Sequence, residues 1–285
     1  MKRTDQRRPI INSLVVYSRK VLKEWRSFST NNKLTTTHAN AFLLGVMFDK
    51  FITADRAWEA GEWINDSLGD PGDVGTLWKE LKTIEKRRLI GFLRYGRGGS
   101  AFTIFYKSFA SQLPKAASLI LEKYGGDPRK IWNNQRDIPK VLKRLEEIPG
   151  IGSKLSRMAV LILARDKGLL GGKDALPQLD IAPDIHVMRV FRRAGLILPT
   201  ASKKAAIAAA RKLHPSFPGE LDSAAWDIGQ KWCRPSKPNC EGCPLTQDCP
   251  REGVGEPASR SPDNESRAPR SLAQLKARTV LEFWR

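Results

Sequence analysis

Four cysteines lie within the single stretch CRPSKPNCEGCPLTQDC, and the rest of the chain contains none. Their spacing is C-x6-C-x2-C-x5-C, formed by Cys233, Cys240, Cys243 and Cys249. Two disulfides would suit a small secreted domain, but nothing in the sequence indicates secretion. Four thiolates suit either a tetrahedral Zn²⁺ ion or an iron–sulfur cube, which takes one thiolate per iron. The residues alone make disulfides the least suitable of the three and leave zinc and an iron–sulfur cluster open.

A glycine-rich turn follows a predicted helix in the stretch RLEEIPGIGSKLSRMAVLILA. The first helix must end before Pro149, because a residue that precedes proline is pushed out of the α region. Gly150 and Gly152 let the backbone turn tightly around Ile151, and a second helix is predicted from Ser153. Backbone N–H groups at a helix N-terminus form an anion site, so this turn predicts a phosphate contact.

Lys154 lies in the first turn of that second helix, beside the positive end of its dipole. A cation is disfavoured there, and in a partly dry site the neutral amine, which is a nucleophile, becomes favoured. The alternative is a surface lysine that contacts the same phosphate. The stretch alone favours this second interpretation.

Another helix is predicted after Asp184 in the stretch IAPDIHVMRVFRRAGL. Aspartate is a favourable N-cap residue, and Gly195 suits the position just after the C-terminus of the helix. Asp180 is a weaker candidate for the cap, because Pro183 pushes Ala182 out of the α region. Most aspartates in this setting only cap a helix, so the pattern by itself does not indicate catalysis.

The elements that must position these residues are helices, since apolar residues recur with helical spacing along most of the chain. We therefore predict an all-α fold. The predicted helices cover residues 10–28, 39–48, 53–66, 73–93, 101–112, 115–124, 137–148, 153–165, 184–194, 201–213 and 220–232. After Cys249 the sequence is rich in proline, serine and mixed charge, which predicts a flexible tail that could end in a short helix.

The composition narrows the class of partner. The 285 residues include 49 basic and 30 acidic side chains, for a net charge of +19. This charge favours a polyanion as partner, with nucleic acid ahead of a membrane surface. The longest apolar runs are too short to span a bilayer, and no signal peptide is apparent. We expect an intracellular protein that does not enter a membrane, in the cytoplasm or nucleoid, or in a nucleus or organelle.

Three of these stretches together resemble one protein family. LEEIPGIGSKLSRMA resembles the helix-hairpin-helix pattern L-P-G-[VI]-G-x-K-x-A of the endonuclease III family of DNA glycosylases. IAPDIHVMRV resembles that family's I-A-V-D-T-H-[IV]-x-R-V, and the cysteines have the family's iron–sulfur spacing. The motifs occur in the family's order, and the resemblance covers about residues 38–250.

The resemblance implies two helical domains that flank a DNA groove. Residues 38–165 would form a six-helix barrel that ends in the helix-hairpin-helix. Residues 166–250 would form the iron–sulfur cluster domain, joined by the N-terminal helical segment 1–37, and residues 251–285 would form the tail.

Roles are carried over residue by residue. Lys154 matches the lysine that attacks the sugar C1′ in bifunctional members, and Asp184 matches the catalytic aspartate. The phosphate-binding turn matches Pro149 to Ser153, with Gly150 and Gly152 as its glycines. The [4Fe–4S] cluster would be held by Cys233, Cys240, Cys243 and Cys249.

The chain departs from the family in three places. The stretch between the hairpin and Asp184 is longer than in the typical member, so Asp184 is assigned by its local motif and not by spacing. Pro183 and Ile185 replace the usual Val and Thr around the aspartate. Asp49 and Lys50 lie where the family carries S-x-Q, whose glutamine fills the gap left by a flipped base. Either Lys50 takes that role as a DNA-binding residue, or the engagement of DNA differs.

The resemblance implies a base-excision repair glycosylase with an associated AP lyase activity. The expected partner is double-stranded DNA with a damaged or mismatched base or an abasic site, bound by a monomer. The alternative is a helix-hairpin-helix DNA-binding protein that is non-catalytic or monofunctional. Retention of both Lys154 and Asp184 favours the enzyme, because a binding module needs neither. A third possibility uses the cluster for electron transfer.

Overall fold

The structure is a computed structural model that describes residues 7–24, 34, 36–50, 52–96 and 99–254. The described residues contain eleven α-helices and no β-strand, so the prediction of an all-α fold is confirmed. No described helix has the length and apolar character that a membrane span requires. Most of the predicted tail, from residue 255 onward, lies outside the described residues. The helices are α1 (Arg8–Glu24), α2 (Thr36–Phe48), α3 (Ala54–Leu68), α4 (Thr76–Thr83), α5 (Lys86–Tyr95), α6 (Tyr106–Tyr124), α7 (Ile138–Glu146), α8 (Ser153–Leu161), α9 (Ile185–Arg193), α10 (Lys203–Leu213) and α11 (Glu220–Lys231).

One predicted helix proves to be two. The helix predicted over residues 73–93 is broken at Ile84 and Glu85, whose ψ angles of 131° and 134° are extended. The Thr83 hydroxyl donates a hydrogen bond to the Lys79 carbonyl oxygen at 2.9 Å. Such local bonding by a threonine competes with the regular ladder, and it accompanies the end of α4.

Two predicted helices prove to be one. Residues 106–124 form the single helix α6, which continues through Pro114. Proline removes one backbone donor from a helix interior and normally kinks or breaks it. Here Phe109, Leu113 and Ile120 are buried on one face of α6. The burial of this face on both sides of the proline favours an uninterrupted helix.

The larger hydrophobic core holds the hairpin in place. It includes buried side chains from α2 to α8, among them Phe42, Trp78 and Leu113. Trp78 donates its indole N–H to the Asn40 side chain at 2.8 Å, so its polar atom is satisfied within the core. The segment after α8 packs on the same core through Leu170 and Leu179.

A second core joins the N-terminal helix to the C-terminal ones. Ile10, Ile11 and Leu14 of α1 pack with buried residues of α9, α10 and α11. Polar contacts support this packing, since Tyr17 donates to the Asp227 carboxylate at 2.8 Å. The division of the chain into the four predicted segments stays a prediction.

Candidate functional site

The turn between α7 and α8 is built by buried apolar side chains around an exposed backbone. Ile148, Ile151 and Leu155 are buried, and the Ile151 N–H donates to the Ile148 carbonyl at 2.9 Å. Gly150 has φ +99°, a backbone conformation that side chains with a Cβ rarely adopt. The two helices are tied together by Ser156, whose hydroxyl donates to Glu146 at 2.8 Å. The turn is therefore a fixed feature of the core.

The N-terminus of α8 is open. Its N-cap residue is Gly152, which offers no side-chain cap, and a Cβ built there would have no neighbour within 4 Å. Ser153 is exposed beside it, and its hydroxyl is contacted by Arg157. The first N–H groups of a helix lack internal partners, so this end retains free donors of the kind that bind anions. Ile151 itself is buried, so its side chain is not available to a ligand.

Lys154 projects from this open end to a carboxylate 105 positions away in the sequence. Its Nζ forms an ion pair with the Asp49 carboxylate and lies 3.7 Å from the Met158 sulfur. The Lys154 side chain is 28% exposed and that of Asp49 only 13%. The sequence left open whether Asp49 or Lys50 faces the bound partner. In the structure, the Asp49 carboxylate forms its ion pair with Lys154.

Lys50 and Gln112 border the turn from two other elements. A Cβ built on Gly150 would lie 2.4 Å from Gln112 Oε1 and 3.3 Å from Lys50 Nζ. Lys50 lies over the Phe109 ring at 5.7 Å, and burial lowers the pKa of its ammonium. Gln112 Oε1 is buried without a hydrogen-bond partner, while its amide donates to Ser108 at 2.9 Å. The sequence around Asp49 contains no glutamine, but packing of α6 brings one to this place.

Asp184 caps α9 as predicted. One carboxylate oxygen accepts hydrogen bonds from the His186 N–H at 2.8 Å and from the Val187 N–H at 2.9 Å. The cap uses Oδ1 alone, and no hydrogen bond to Oδ2 is present among the described residues. Asp184 is thus fixed in place by the helix while one oxygen stays available.

Asp222 of α11 is a second carboxyl group near Asp184 that sequence reasoning missed. It accepts a hydrogen bond from the Ala182 N–H at 2.6 Å and so anchors the loop that precedes the cap. Burial, with a smaller contribution from the neighbouring Asp184 charge, raises the pKa of Asp222 to about 7, although the Ala182 N–H acts in the opposite direction. Lys154 and Arg165 also lower this pKa, which places Asp222 within electrostatic reach of Lys154. No local pattern in the sequence marks this residue.

The C-terminal half of α9 holds the cysteine loop. Arg193 donates to the carbonyl oxygens of Arg234 at 2.6 Å and Pro235 at 2.9 Å. Arg189 donates to the Cys233 carbonyl and, at 2.7 Å, to the Gly229 carbonyl. Helix α9 therefore connects Asp184 at one end with the cysteines at the other.

The cysteines border one cavity. All four are free thiols, and they line it with Val190, Ile228 and Leu245. Burial raises the pKa of Cys243 to about 11, so ionised thiolates there need compensating positive charge. Within the described part of the chain, no group of three or more His, Cys, Asp or Glu side chains is arranged to hold a metal ion. Ligands of one Zn²⁺ must converge to bonds of about 2.3 Å. All four thiols line the same cavity, so its donor set suits a group that takes four thiolates.

Comparison with known proteins finds endonuclease III proteins among the relatives of the chain, although no family model matches it. The chain is 24% identical to endonuclease III of Thermotoga maritima over 159 residues, which cover 55% of this chain and 64% of that protein. It is 27% identical to endonuclease III of Bacillus subtilis over 152 residues, which cover 52% and 58%. The chain thus spans less than two thirds of the length of these relatives.

Solved structures show the same fold. A trapped endonuclease III–DNA covalent intermediate superimposes with a TM-score of 0.59 at 17% identity, over 86% of this chain and 96% of that one. A thermostable thymine-DNA glycosylase superimposes with a TM-score of 0.55 at 18% identity, over 87% and 96%. At these identities the likeness establishes the fold.

Proposed function

We propose that this chain, which belongs to the endonuclease III family of helix-hairpin-helix DNA glycosylases, excises a damaged or mismatched base from duplex DNA and then nicks the strand. One observation supports the proposal most. A lysine amine lies beside an uncapped helix N-terminus, on the same helix end that would bind DNA phosphate. The helix dipole disfavours a cation there, so the stability of α8 does not account for a lysine at this position.

DNA would bind through its backbone at the turn from Pro149 to Ser153. The open N–H groups of α8 offer donors to a phosphate without any side chain, and Lys50 adds positive charge beside them. The net charge of +19 supports binding to a polyanion and predicts an affinity that falls steeply with salt. The proposed partner is therefore double-stranded DNA, and the proposed location is a DNA-containing compartment of the cell.

Asp184 would act on the sugar. The target nucleotide must leave the base stack, which costs a few kcal/mol and is least costly at damaged or mismatched pairs. As the glycosidic bond breaks, the sugar gains positive charge, and a carboxylate held at fixed distance stabilises it. The cap bonds to His186 and Val187 fix Asp184 Oδ1, and its second oxygen stays available to face that charge.

Lys154 would form the covalent intermediate. Its amine attacks C1′ and forms a Schiff base, which makes the C2′ proton more acidic. Loss of that proton leads to β-elimination and breaks the strand on the 3′ side of the sugar. The lysine must lose a proton before it attacks, since an ammonium has no free electron pair.

The cofactor proposed for the cavity is a [4Fe–4S] cluster held by Cys233, Cys240, Cys243 and Cys249. The donor set supports it, since all four cysteines of the chain line this cavity. A bound cluster stabilises the fold of its loop and contributes redox chemistry that the proposed excision does not use. Purified protein should absorb near 400 nm and contain iron. Stoichiometric zinc without iron would contradict the proposal.

Borohydride trapping tests the proposed function. The parent protein should nick a duplex that contains one abasic site and should form a covalent adduct when borohydride is present. Lys154→Ala should abolish both, yet still bind the duplex, because the turn contacts phosphate through its backbone. Lys79→Ala provides the control, since Lys79 is an exposed lysine that also pairs with an aspartate, Asp73.

Lys50→Ala separates the two lysines at the turn. Burial lowers the pKa of the Lys50 ammonium, so a neutral amine is favoured at Lys50 as well. We expect Lys50→Ala to weaken binding and still yield the adduct. Trapping that depends on Lys50 and not on Lys154 would transfer the nucleophile to Lys50. A parent protein that binds the duplex but never nicks or traps it would support the alternative, a non-catalytic or monofunctional DNA-binding protein.

A further inference from the structure

Asp49 occupies a position that its helix disfavours. It follows Phe48, the last residue of α2, and its N–H donates to the Gly45 carbonyl at 3.1 Å. A negative charge at a helix C-terminus is destabilising, because the dipole is negative there. Its side chain is only 13% exposed, so solvent compensates this charge poorly. The compensation comes from Lys154, which stands at the equally unfavourable positive end of α8.

Asp49 is the carboxylate in contact with the proposed nucleophile. Among the described residues, the hydrogen-bonding atoms in contact with Lys154 Nζ belong to Asp49 and to Met158, whose sulfur at 3.7 Å is a weak acceptor. No ion pair joins Lys154 to Asp184 within the described part of the chain, where Asp184 Oδ1 is engaged by the cap of α9. The two carboxylates therefore make different contacts: Asp49 pairs with Lys154, and Asp184 caps α9.

We propose that Asp49 is a catalytic residue that moves the proton of Lys154 during Schiff-base formation. The inference rests on the proposed function. At an abasic site, the Lys154 ammonium gives one proton to the Asp49 carboxylate, and the resulting amine adds to the C1′ aldehyde carbon. A proton passes from nitrogen to the former carbonyl oxygen. Asp49 then returns its proton to that hydroxyl, which leaves as water. The product is a protonated imine, and Asp49 ends as a carboxylate beside it.

Other charged groups surround the pair. Lys50 follows Asp49 directly and approaches the turn at Gly150. Asp184 at the start of α9, Arg165, which follows α8, and Lys154 itself each act electrostatically on Asp222 of α11. Asp49 is therefore not the only charged group near Lys154, so a pH profile by itself is an insufficient test.

Chemical rescue gives the decisive measurement. The experiment follows imine formation on an abasic duplex in single turnover, by borohydride trapping, in the parent, Asp49→Asn, Asp49→Ala and Asp49→Glu. Loss of a positioned acid–base group should slow trapping by on the order of 10² at neutral pH. Asp49→Glu should recover part of the rate. Added formate should accelerate Asp49→Ala in proportion to its concentration, at ionic strength held constant with chloride because DNA binding depends on salt.

A matched control and two contrary outcomes complete the test. Asp73→Asn removes an aspartate from an exposed ion pair with Lys79 and should leave the rate unchanged. Asp49→Asn that traps as fast as the parent, or faster, would overturn the inference and leave the proposed function intact, because the pair would then only restrain the lysine. An Asp49→Ala variant that traps slowly and is not accelerated by formate would also overturn the inference. So would slow trapping in a variant whose circular dichroism or duplex affinity differs from the parent's, because altered folding or binding would then account for the slow rate. A parent that fails to trap would overturn the proposed function and this inference together.

Discussion

Helix α9 begins at a carboxylate, whereas helix α8 begins at a glycine. Asp184 closes the N-terminus of α9 with two hydrogen bonds, at 2.8 and 2.9 Å. Gly152 provides no side-chain cap for α8. The first turn of α8 carries Lys154, although a helix dipole favours an acidic residue there. The N-terminus of α8 thus keeps its N–H groups free of a side-chain cap, whereas at α9 the Asp184 carboxylate occupies them.

The difference shows how one structural element serves two purposes. An uncapped N-terminus keeps free N–H donors for an anion, at a cost in helix stability. A capped one gives up its donors and instead holds a carboxylate at a fixed place. In this protein the open end is supported by the buried residues Ile148 and Ile151, so the core supplies what the missing cap does not.

Among changes to the two helix caps, the largest effect is expected at the N-terminus of α9. Asp184→Asn should lower the single-turnover rate of base excision on a lesion-containing duplex by on the order of 10² to 10³, since an electrostatic group facing the sugar loses its charge. Asn caps about as well as Asp, so the unfolding free energy should change little. The control is Asp137→Asn, which alters the carboxylate cap of α7 and should leave the rate unchanged. An equal loss in both variants would mean that Asp184 acts only through helix stability.

Asp222→Asn tests the second carboxyl group at the closed end. The folded-state pKa of about 7 lies above the ordinary value of 3.8, so ionisation of Asp222 destabilises the fold. Its contribution to stability is fully present below about pH 4 and is lost as the pH rises through 7. Asparagine cannot ionise and can still accept from Ala182. In urea unfolding, the stability of Asp222→Asn relative to the parent should therefore rise between pH 4 and 7, by on the order of 4 kcal/mol in unfolding free energy above pH 7. A constant difference across this range would contradict the assignment.

Gly150→Ala tests the geometry of the open end. A side chain at φ +99° is strained, and its Cβ would lie 2.4 Å from Gln112 Oε1. We expect a loss of about 1–3 kcal/mol in unfolding free energy and weaker binding to a plain duplex. Gly168→Ala is the matched control, because its φ is +63° but nothing lies within 4 Å of the added Cβ. Similar losses in both variants would assign the effect to backbone strain alone.

The smallest effect on stability is expected from Gly152→Asp, which makes the N-terminus of α8 resemble that of α9. This change gives α8 the cap that α9 has and should stabilise the fold by a few tenths of a kcal/mol. It should also weaken binding to a plain duplex, because the carboxylate occupies the N–H donors and repels phosphate. Gly152→Ser caps without charge and should weaken binding less. Unchanged affinity in the aspartate variant would show that phosphate does not bind at this turn.

The sequence by itself determined the features that depend on neighbouring residues. The all-α class, the hairpin around Gly150, the cap at Asp184 and the clustering of four cysteines follow from local pattern and spacing. Backbone sterics and capping act over a few residues, so a single stretch contains the information. The resemblance of the three motifs to the endonuclease III family predicted the kind of relative and the fold that the comparisons found.

Only the tertiary structure decided which distant groups meet. Asp49 pairs with Lys154 across 105 positions, Gln112 arrives at Gly150 from α6, and Asp222 binds the Ala182 N–H. The same holds for α6, where burial of one face outweighs the helix-breaking tendency of Pro114. Periodicity identifies the face that a helix buries, but the partner of that face depends on how all the helices pack. The charge environment of the proposed nucleophile is therefore a property of the packed molecule.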